Sequence, residues 1–256
     1  MIMLNAIADA AREAGAIVLR AHDAAVHQKE GHFNFVTDAD VAVQNYLKTA
    51  LLQALPEARF FSEEQENEPL TDAPTFVVDP IDGTLNFMRN RRASAVSIGL
   101  LKNKAPVMAA VYNPYADEMF TAEQGKGAFC NGKPIHVSAS LPENALVAMG
   151  TSPYDPELAA KSMAFARDFL LRAGDIRRVG AAALDLADVA CGRADVYYEL
   201  RIRPWDAAAG SLLVTEAGGR FYSLGHAQPY YDDASGVLAV TPACDAMARE
   251  ILAEVL

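Results

Sequence analysis

The segment Val77–Phe87, which reads Val-Val-Asp-Pro-Ile-Asp-Gly-Thr-Leu-Asn-Phe, constrains the fold of this chain more than any other stretch. A β-favouring run stops at Asp79, Pro80 fixes its own φ angle, and Gly83 permits a tight backbone turn. The sequence therefore predicts that Asp79 and Asp82 converge where a strand ends and a helix begins. The N–H groups at such a helix start are suited to binding phosphate. The alternative is a surface turn with two solvated aspartates.

The composition is that of a globular protein with an acidic surface. The 256 residues are 52% hydrophobic and 21% charged, which excludes a mainly disordered chain. A net charge of −11 disfavours general binding to nucleic acid and to anionic membranes. Three widely spaced cysteines favour a reducing compartment, and no 18-residue apolar run could cross a bilayer. We therefore expect a soluble, cytoplasmic protein.

Hydrophobic periodicity predicts the main helices and strands. Helices are predicted from Ile7 to about His22, over Val41–Leu55, Leu158–Ala173 and Ala181–Cys191, and from Trp205 to Gly218. Strands are predicted at Phe76–Val78, Ala95–Leu101, Val107–Tyr112, Glu118–Ala122 and Val196–Leu200, the first four in an antiparallel sheet. Asn131-Gly132 is typical of a hairpin turn. A weak boundary at Ser138–Pro142 predicts one compact unit with two lobes, about 1–139 and 140–256.

Two further acidic motifs lie far from Asp79 in the sequence. Ser62-Glu63-Glu64 is predicted to lie in a loop, and Trp205-Asp206-Ala207-Ala208-Ala209-Gly210 is predicted to begin a helix. Each motif alone is weak, because a glutamate pair is typical of a solvated loop and an aspartate near a helix start is typical of a cap. Their combination with the segment Val77–Phe87 indicates a shared site.

Together these motifs resemble the inositol monophosphatase family of magnesium-dependent, lithium-sensitive phosphatases. The resemblance runs nearly end to end and covers Asn34–Asp40, Phe61–Glu64, Asp79–Phe87, Gly125–Phe129 with Asn131-Gly132, and Trp205–Gly210. It implies an α+β fold, the layered αβαβα sandwich of the inositol monophosphatase and fructose-1,6-bisphosphatase type. It also implies an active site between the two halves and assembly as a homodimer.

The resemblance also implies a metal site. The ligands of two or three Mg²⁺ ions would be the side chains of Glu63, Asp79, Asp82 and Asp206 and the carbonyl of Ile81. Like charges about 4 Å apart repel by roughly 1 to 4 kcal/mol per pair, so four converging carboxylates need cations. Oxygen-only ligands favour Mg²⁺, and the absence of a His-Glu-x-x-His pattern disfavours zinc.

Residues that act on water and phosphate follow from the same resemblance. Thr84 and Asp40 correspond to the pair that orients and deprotonates the attacking water, and Glu63 touches this water through its metal. One ion would lower the pKa of the water while another stabilises the leaving oxygen. The N–H groups of Gly83 and Thr84 are expected to hold the phosphate. Lys29 has two interpretations: it lies near the third metal or the phosphate, or it is a surface lysine.

The leaving group is expected to contact a separate set of residues. Family positions at the substrate are filled by Glu199, Gly180, Ala182 and Asp206. Ser62 departs from the glycine that commonly precedes the glutamates. Arg201 lies two residues after Glu199 on a predicted strand, so both side chains are expected on one face, in the pocket. Arg201 would then bind a second phosphate or carboxylate; the alternative is a solvated arginine or a salt bridge across the dimer.

The function that these features predict is that of a phosphoric monoester hydrolase. Its expected substrate is a small phosphorylated polyol or sugar, inositol 1-monophosphate first, attacked directly by metal-activated water. The alternatives are a bisphosphate phosphatase of the same family, acting on fructose 1,6-bisphosphate or a nucleotide bisphosphate, and a regulatory member that binds a protein partner. A phosphatase with an aspartate nucleophile is disfavoured, because Asp79 and Asp82 are three residues apart and the motif of that class needs two.

Overall fold

The computed structural model describes residues 2–21, 25–28 and 35–255. Its helices are α1 Ile2–Arg20, α2 Asp38–Ala54, α3 Thr84–Met88, α4 Pro156–Leu170, α5 Ala182–Ala190, α6 Pro204–Glu216 and α7 Asp245–Ile251. Its first strands are β1 Val26–Gln28, β2 Phe35–Thr37, β3 Arg59–Ser62, β4 Thr75–Asp82, β5 Ala95–Lys102, β6 Ala105–Asn113 and β7 Glu118–Glu123. The later strands are β8 Ala128–Cys130, β9 Lys133–Ile135, β10 Leu146–Met149, β11 Asp175–Arg177, β12 Val196–Ile202, β13 Arg220–Leu224 and β14 Ser235–Val240.

The first half of the chain forms a seven-stranded sheet in the order β3-β4-β5-β6-β7-β8-β9. Neighbouring strands are antiparallel except β3 and β4, which run parallel. The predicted antiparallel sheet is therefore confirmed, with β3 added at one edge. The predicted hairpin turn is also confirmed, because Asn131 and Gly132 connect β8 to β9 with φ angles of 49° and 74°.

The second half forms a five-stranded mixed sheet in the order β11-β10-β12-β14-β13. Strand β10 runs parallel to β11 and β12, whereas β14 is antiparallel to both of its neighbours. Only β12 was predicted from the sequence. The short strands β10 and β11 gain their partners from distant parts of the chain, and local patterns do not record such pairing.

Helices cover both faces of each sheet and complete five layers. Helices α1 and α2 pack on the outer face of the seven-stranded sheet. Helices α5 and α6 lie between the sheets, where one apolar cluster includes Val111 of β6 and Tyr197 of β12. Helices α4 and α7 cover the outer face of the five-stranded sheet. The predicted α+β fold with αβαβα layers is confirmed.

Helix α6 approaches the seven-stranded sheet closely because its first turns contain small residues. A Cβ atom on Gly99 of β5 would lie only 3.2 Å from the Cβ of Ala208, and one on Gly210 would lie 2.5 Å from the Cβ of Leu186 in α5. The Ser97 hydroxyl of β5 donates to the carbonyl of Trp205 over 3.3 Å. The start of α6 is thereby fixed against the strand beside β4.

Helix ends differ from the predictions where capping residues lie outside the apolar periodicity. Helix α2 begins at Asp38, three residues before the predicted start, because Thr37 accepts the N–H of Asp40 as its N-cap. Helix α4 likewise follows the cap Asp155 and ends at Leu170. Helix α1 already begins at Ile2 and ends at Arg20. In the described ranges, no helix combines the length and apolarity that a bilayer span requires.

Candidate active site

The end of β4 carries the first two acidic residues of the site. Between the pairs that Asp79 and Asp82 form with β5, β4 contains one more residue than its partner, which makes a bulge. The N–H of Ile81 donates to Asp79 Oδ1 over 3.0 Å inside this bulge. The prediction that the strand stops at Asp79 is wrong, because β4 continues to Asp82. The bulge corrects the strand alternation and lets the two carboxylates converge.

Gly83 makes the turn from β4 into the short helix α3. Its φ angle is +87°, and a Cβ atom on it would lie 3.1 Å from both the Ala93 carbonyl oxygen and the Ala181 Cβ. Glycine is therefore required by backbone conformation and by space. The predicted strand-to-helix turn is confirmed. Binding of phosphate by the N–H groups of Gly83 and Thr84 stays a prediction.

Asp82 connects the two halves of the chain. Its Oδ1 accepts the N–H of Ala182 over 3.2 Å and its Oδ2 accepts the N–H of Ala183 over 2.7 Å, both at the start of α5. Burial raises the pKa of Asp82 to about 7; these two hydrogen bonds oppose the shift and the charge of Glu199 adds to it. The N–H of Ala182, a predicted substrate contact, is thus engaged with Asp82.

Asp206 approaches the same point from the first turn of α6. Its Oδ2 accepts the N–H of Arg203 over 2.8 Å, which fixes the carboxylate at the helix start. One carboxylate oxygen from each of Asp79, Asp82 and Asp206 lies within 4.8 Å of the others. Residues 79 and 206 are far apart in the sequence, so the fold itself assembles the cluster.

The electrostatics of this cluster favour a bound cation. Burial raises the pKa of Asp79 well above its usual range, and the charges of Glu63 and Asp82 raise it further. Burial also raises the pKa of Asp206, with the charges of Asp82 and Glu63 adding to it. A cation would stabilise all of these groups in their ionised form. Since the donors are all oxygens, the set fits a hard divalent ion such as Mg²⁺.

Glu63 belongs to the loop that follows β3, and α2 holds this loop in place. The side chain of Gln44 donates to the Glu64 carbonyl over 3.0 Å and accepts the Glu64 N–H over 3.1 Å. The Glu63 N–H donates to the Val78 carbonyl over 3.3 Å, which ties the loop to β4. Gln44 was not predicted from the sequence, because a polar residue on an amphipathic helix gives no local sign of such a role.

The two residues predicted to act on water are both held by local hydrogen bonds. Asp40 is buried, and its Oδ2 accepts the N–H of Thr37 over 2.8 Å and the Thr37 hydroxyl over 2.5 Å. The Thr84 hydroxyl donates to the carbonyl of Ile81 over 3.3 Å. The charge of Asp40 is one of the contributions to the raised pKa of Asp79, smaller than burial and than the charges of Glu63, Asp82 and Asp206.

Glu199 lies on β12, facing the interior between the two sheets. Its carboxylate accepts the Tyr197 hydroxyl over 2.8 Å and the N–H of Ser152 over 3.3 Å. It fills the space beside Gly150, where a Cβ atom would lie only 1.9 Å from its Cδ. The roles of Tyr197, Ser152 and Gly150 follow from the pairing of β10 with β12 and leave no local pattern in the sequence.

Gly180 forms part of the backbone between β11 and α5. Its φ angle is +87°, and its carbonyl oxygen lies 3.2 Å from the position of a Cβ atom on Gly83. The Asn86 side chain donates to the carbonyls of Val179 and Gly180 over 3.0 and 3.3 Å. The segment before α5 is thus fixed against the turn after β4, while contact of Gly180 with substrate stays a prediction.

Arg201 lies on a part of β12 where the strand alternation is interrupted. The pairing of β12 with β14 shifts register between Glu199 and Ile202, so the alternation used to predict a shared face is interrupted. The Arg201 side chain is 57% exposed, and its Nη1 lies 3.7 Å from Asp155 Oδ2. Its role in substrate binding stays a prediction. Lys29 lies outside the described residues.

Tyr154 is a further residue near the acidic cluster that the sequence did not reveal. The residue is 67% exposed, yet its pKa is raised by burial of the hydroxyl and by the charges of Glu63, Asp206 and Glu199. The charges of these three carboxylates therefore act on the Tyr154 hydroxyl. Neither its neighbours in sequence nor a recognisable motif identified it.

Known proteins with similar sequences and structures decide the family. A profile of the Inositol monophosphatase family matches residues 3–255. The chain belongs to this family. It is 39% identical to inositol monophosphatase 3 of Solanum lycopersicum over 224 residues, 84% of each chain. It is 38% identical to Nus factor SuhB of Xylella fastidiosa, over 84% of this chain and 80% of that protein.

Solved structures agree with this assignment. The extragenic suppressor protein suhB from Bartonella henselae superposes with a TM-score of 0.90 at 33% identity, over 98% of both chains. The predicted inositol monophosphatase resemblance is confirmed, and so is the predicted enzyme class, a phosphoric monoester hydrolase. Use of Mg²⁺ is a property of the family, and the carboxylates of Asp79, Asp82 and Asp206 fit it.

Proposed function

We propose that this chain is a Mg²⁺-dependent phosphomonoesterase for a small phosphorylated polyol or sugar, with inositol 1-monophosphate as the first substrate to test. The observation that carries this proposal is the cluster of Asp79, Asp82 and Asp206, whose oxygens lie within 4.8 Å of one another in a chain of the inositol monophosphatase family. Three converging buried or half-buried carboxylates are costly for folding, so a role in binding a cation is the simplest account of them.

In this proposal two or three Mg²⁺ ions share one set of oxygen ligands. These are the carboxylates of Glu63, Asp79, Asp82 and Asp206 and the carbonyl of Ile81. The chemistry supplied by bound Mg²⁺ is a lowered pKa for water and stabilisation of negative charge on the phosphoryl oxygens. The hydrogen bonds from Ala182 and Ala183 orient Asp82, and that from Arg203 orients Asp206.

The chain's own residues orient the reactants. Thr84 Oγ1 and the Asp40 carboxylate orient the attacking water and take up its proton, and Glu63 would act on the same water through the ion that it holds. The N–H groups of Gly83 and Thr84 donate to the phosphate. The positive φ angle of Gly83, +87°, supports this role because it turns the chain sharply at the end of β4. Water attacks directly, without a phosphorylated aspartate.

The leaving group contacts the wall of the site opposite the metal ligands, which we call the leaving-group wall. Glu199 accepts a substrate hydroxyl, and Gly180, Ala182 and Asp206 contact the same portion of the substrate. Support comes from the charge of Glu199, which contributes to the raised pKa of Asp82 after burial and so lies near the cluster. Arg201 stays a candidate contact for a substrate that extends towards Asp155, and Lys29 one for phosphate.

We further propose a cytoplasmic homodimer in which each chain is one unit with lobes at about 1–139 and 140–256. An apolar cluster that contains Val111 from the first lobe and Tyr197 from the second supports a single unit. The net charge of −11 disfavours direct nucleic acid binding. Analytical ultracentrifugation at micromolar concentration would give twice the chain mass for the dimer, and the mass of one chain would contradict it.

A panel of phosphate esters tests the reaction. Phosphate release would be measured from inositol 1-phosphate, glycerol 2-phosphate, fructose 1,6-bisphosphate and adenosine 3′,5′-bisphosphate, with Mg²⁺ or with EDTA. We expect phosphate release from inositol 1-phosphate when Mg²⁺ is present and no release when EDTA replaces it. Asp168→Asn, at an exposed surface site, serves as the control for acidic-site variants. Release that continues in EDTA, or none from any ester, would contradict the proposal.

A second candidate function, binding to a protein partner, is supported by the relative named Nus factor SuhB. It is compatible with phosphatase activity. A pull-down of RNA polymerase with the wild-type chain and with Asp79→Asn tests it. Equal capture by both would support a binding role that does not depend on the acidic cluster, and no capture by either would contradict it.

A further inference from the structure

Arg178 lies beside the proposed phosphate turn. A Cβ atom on Gly180 would lie 2.6 Å from Arg178 Nη1 and 3.1 Å from its Cζ, so the guanidinium covers the backbone of Gly180. The Gly180 carbonyl in turn lies against Gly83, at 3.2 Å from the position of a Cβ there. Arg178 is therefore separated from the Gly83 turn by a single backbone segment.

The guanidinium of Arg178 has few partners. Its Nη2 lies 3.5 Å from the Thr151 hydroxyl, the outer limit of a hydrogen bond. Within the described residues, no carboxylate forms an ion pair with it. By contrast, Arg201 lies 3.7 Å from Asp155 and Arg203 lies 3.0 Å from Asp233. Since a guanidinium has five N–H donors, most of those on Arg178 are available to a ligand.

The surroundings of Arg178 link it to the leaving-group wall. Burial raises the pKa of Glu199, and the charge of Arg178 opposes that shift, as does a hydrogen bond from Tyr197.

A cavity of about 370 Å³ borders Arg178 and is lined by three further arginines, Arg91, Arg177 and Arg193. The carboxylates of Asp185 and Asp188 line it too. Arg193 is engaged by Glu118, and Arg177 by Asp175.

We propose that Arg178 binds a second anionic group, a phosphate or a carboxylate, on the alcohol portion of the substrate. This inference rests on the proposed phosphatase function and identifies a specificity residue in its site. The planar guanidinium matches two oxygens of a carboxylate or phosphate, whereas a neutral polyol offers only hydroxyls on that side. Arg178 thereby raises kcat/KM for esters whose alcohol carries a further negative charge.

Arg178 is proposed for the same kind of contact that the sequence predicts for Arg201. The register shift after Glu199 interrupts the strand alternation at Arg201. The Arg201 guanidinium lies 3.7 Å from Asp155, at the start of α4. Arg178 precedes α5 in a segment without regular secondary structure, so no periodicity indicated its position. The assignment follows from its contact with Gly180.

Kinetics of variants test the proposal. kcat/KM would be measured for Arg178→Ala, Arg178→Lys and Arg201→Ala on glycerol 2-phosphate and inositol 1-phosphate, whose alcohols are neutral, and on fructose 1,6-bisphosphate and 3-phosphoglycerate. We expect Arg178→Ala to lower kcat/KM for at least one of the last two by 10- to 100-fold, mainly through KM. For the neutral esters we expect less than a threefold change. The kcat/KM of Arg178→Lys should lie between those of the wild type and Arg178→Ala, because lysine keeps the positive charge but lacks the planar pair of N–H donors of a guanidinium.

The ester whose kcat/KM falls most in Arg178→Ala shows whether the second anion is a phosphate or a carboxylate. Arg172→Ala is the matched control, since Arg172 is exposed and pairs with Glu250 far from the site. Thermal unfolding of each variant would check that the fold is retained. An equal loss on all four esters, no loss on any, or a selective loss in Arg201→Ala instead would overturn the proposal.

A binding measurement separates this inference from the proposed function. Isothermal titration calorimetry with fructose 6-phosphate and with glycerate requires no turnover. We expect at least one of them to bind Arg178→Ala at least tenfold more weakly than wild type, and Arg172→Ala as well as wild type. If the wild type hydrolyses no ester, the proposed function fails while this comparison still tests Arg178. Unchanged affinity for both compounds would contradict the inference alone.

Discussion

The two walls of the site are built in different ways. The proposed metal wall comes mostly from the bulged end of β4, Asp79 to Asp82, and is completed by Glu63 and Asp206. The proposed leaving-group wall is assembled from three separated segments, which contain Gly150, Glu199 and, as proposed above, Arg178. Residues that act together and are consecutive in the chain leave a recognisable sequence motif, whereas a wall assembled by strand pairing does not.

The two walls also differ in how their charge is compensated. Glu199 already has partners within the protein, the Tyr197 hydroxyl and the Ser152 N–H. The carboxylates of the metal wall instead raise one another's pKa values beyond the effect of burial. We therefore expect changes in the metal wall to alter catalysis by orders of magnitude and the response to pH, and changes in the other wall to alter substrate binding.

The largest effect is expected from Asp79→Asn and Asp206→Asn. Each should lower kcat by at least about 10³-fold, because stabilisation of a transferring phosphoryl group by metal is worth several kcal/mol. Without Mg²⁺ the melting temperature should be unchanged or raised, since one like charge is removed. Steady-state phosphate release and thermal unfolding would measure this. Wild-type turnover in either variant, with Asp168→Asn also unchanged, would exclude the metal wall as assigned.

A smaller effect is expected on the opposite wall from Gly150→Ala. The added Cβ would lie 1.9 Å from the Glu199 Cδ, so the carboxylate must move. A displacement of about 1 Å in a site can cost on the order of 10²-fold, and we expect a loss of kcat/KM up to that size. Gly132→Ala, in the distant hairpin, is the control for lost stability alone. Equal kinetics for both variants would show that Glu199 is not positioned for substrate.

The dependence of the unfolding free energy on pH tests the metal wall separately from the leaving-group wall, and it needs no measurement of catalysis. A carboxyl group whose folded pKa is raised stabilises the fold at low pH, and this contribution is lost as the pH rises through the folded pKa. With the pKa of Asp82 at about 7, this group alone should lower the unfolding free energy of the metal-free protein by up to about 1.4 kcal/mol per pH unit between about pH 4 and 7. Denaturant titration with EDTA would measure it.

The matching variant is Asp82→Asn, which should reduce this slope, and saturating Mg²⁺ should restore stability above pH 7. A slope that is the same in the wild type and in Asp82→Asn would show that Asp82 keeps an ordinary pKa in the folded protein.

The smallest effect concerns monovalent ions. The family resemblance implies a Mg²⁺ position that Li⁺ can take after hydrolysis, so LiCl should inhibit at concentrations where NaCl does not. Phosphate release at matched ionic strength would be compared for the two salts. The same residual activity in both would mean that this position differs from the family, with Ser62 as the first departure to change, by Ser62→Gly.

Sequence and structure agree where residues are local. The segment Val77–Phe87 predicted the turn at Gly83, and the motif Trp205–Gly210 predicted the start of α6 within one residue. The bulge between Asp79 and Asp82 was not predicted, because it is defined only against β5. The strand ended later than expected for the same reason.

Long-range partners account for what was missed. Gln44 holds the Glu63 loop from α2, and Asn86 holds Gly180 from α3, each through side-chain hydrogen bonds to backbone groups. Such contacts depend on the packing of helices that the periodicity locates but does not orient. Arg201 was assigned by strand alternation alone, and the register shift after Glu199 shows the limit of that rule.

Calorimetric titration of Mg²⁺ tests the central claim most directly, because it measures the cluster rather than the reaction. Metal binding must displace protons from carboxyl groups with raised pKa values, so at pH 6.5 the heat should depend on the ionisation enthalpy of the buffer. We predict binding with proton release in the wild type and in Asp168→Asn, and loss of both in Asp79→Asn and Asp206→Asn. Binding that is unchanged in these two variants, or absent in the wild type, would contradict the account.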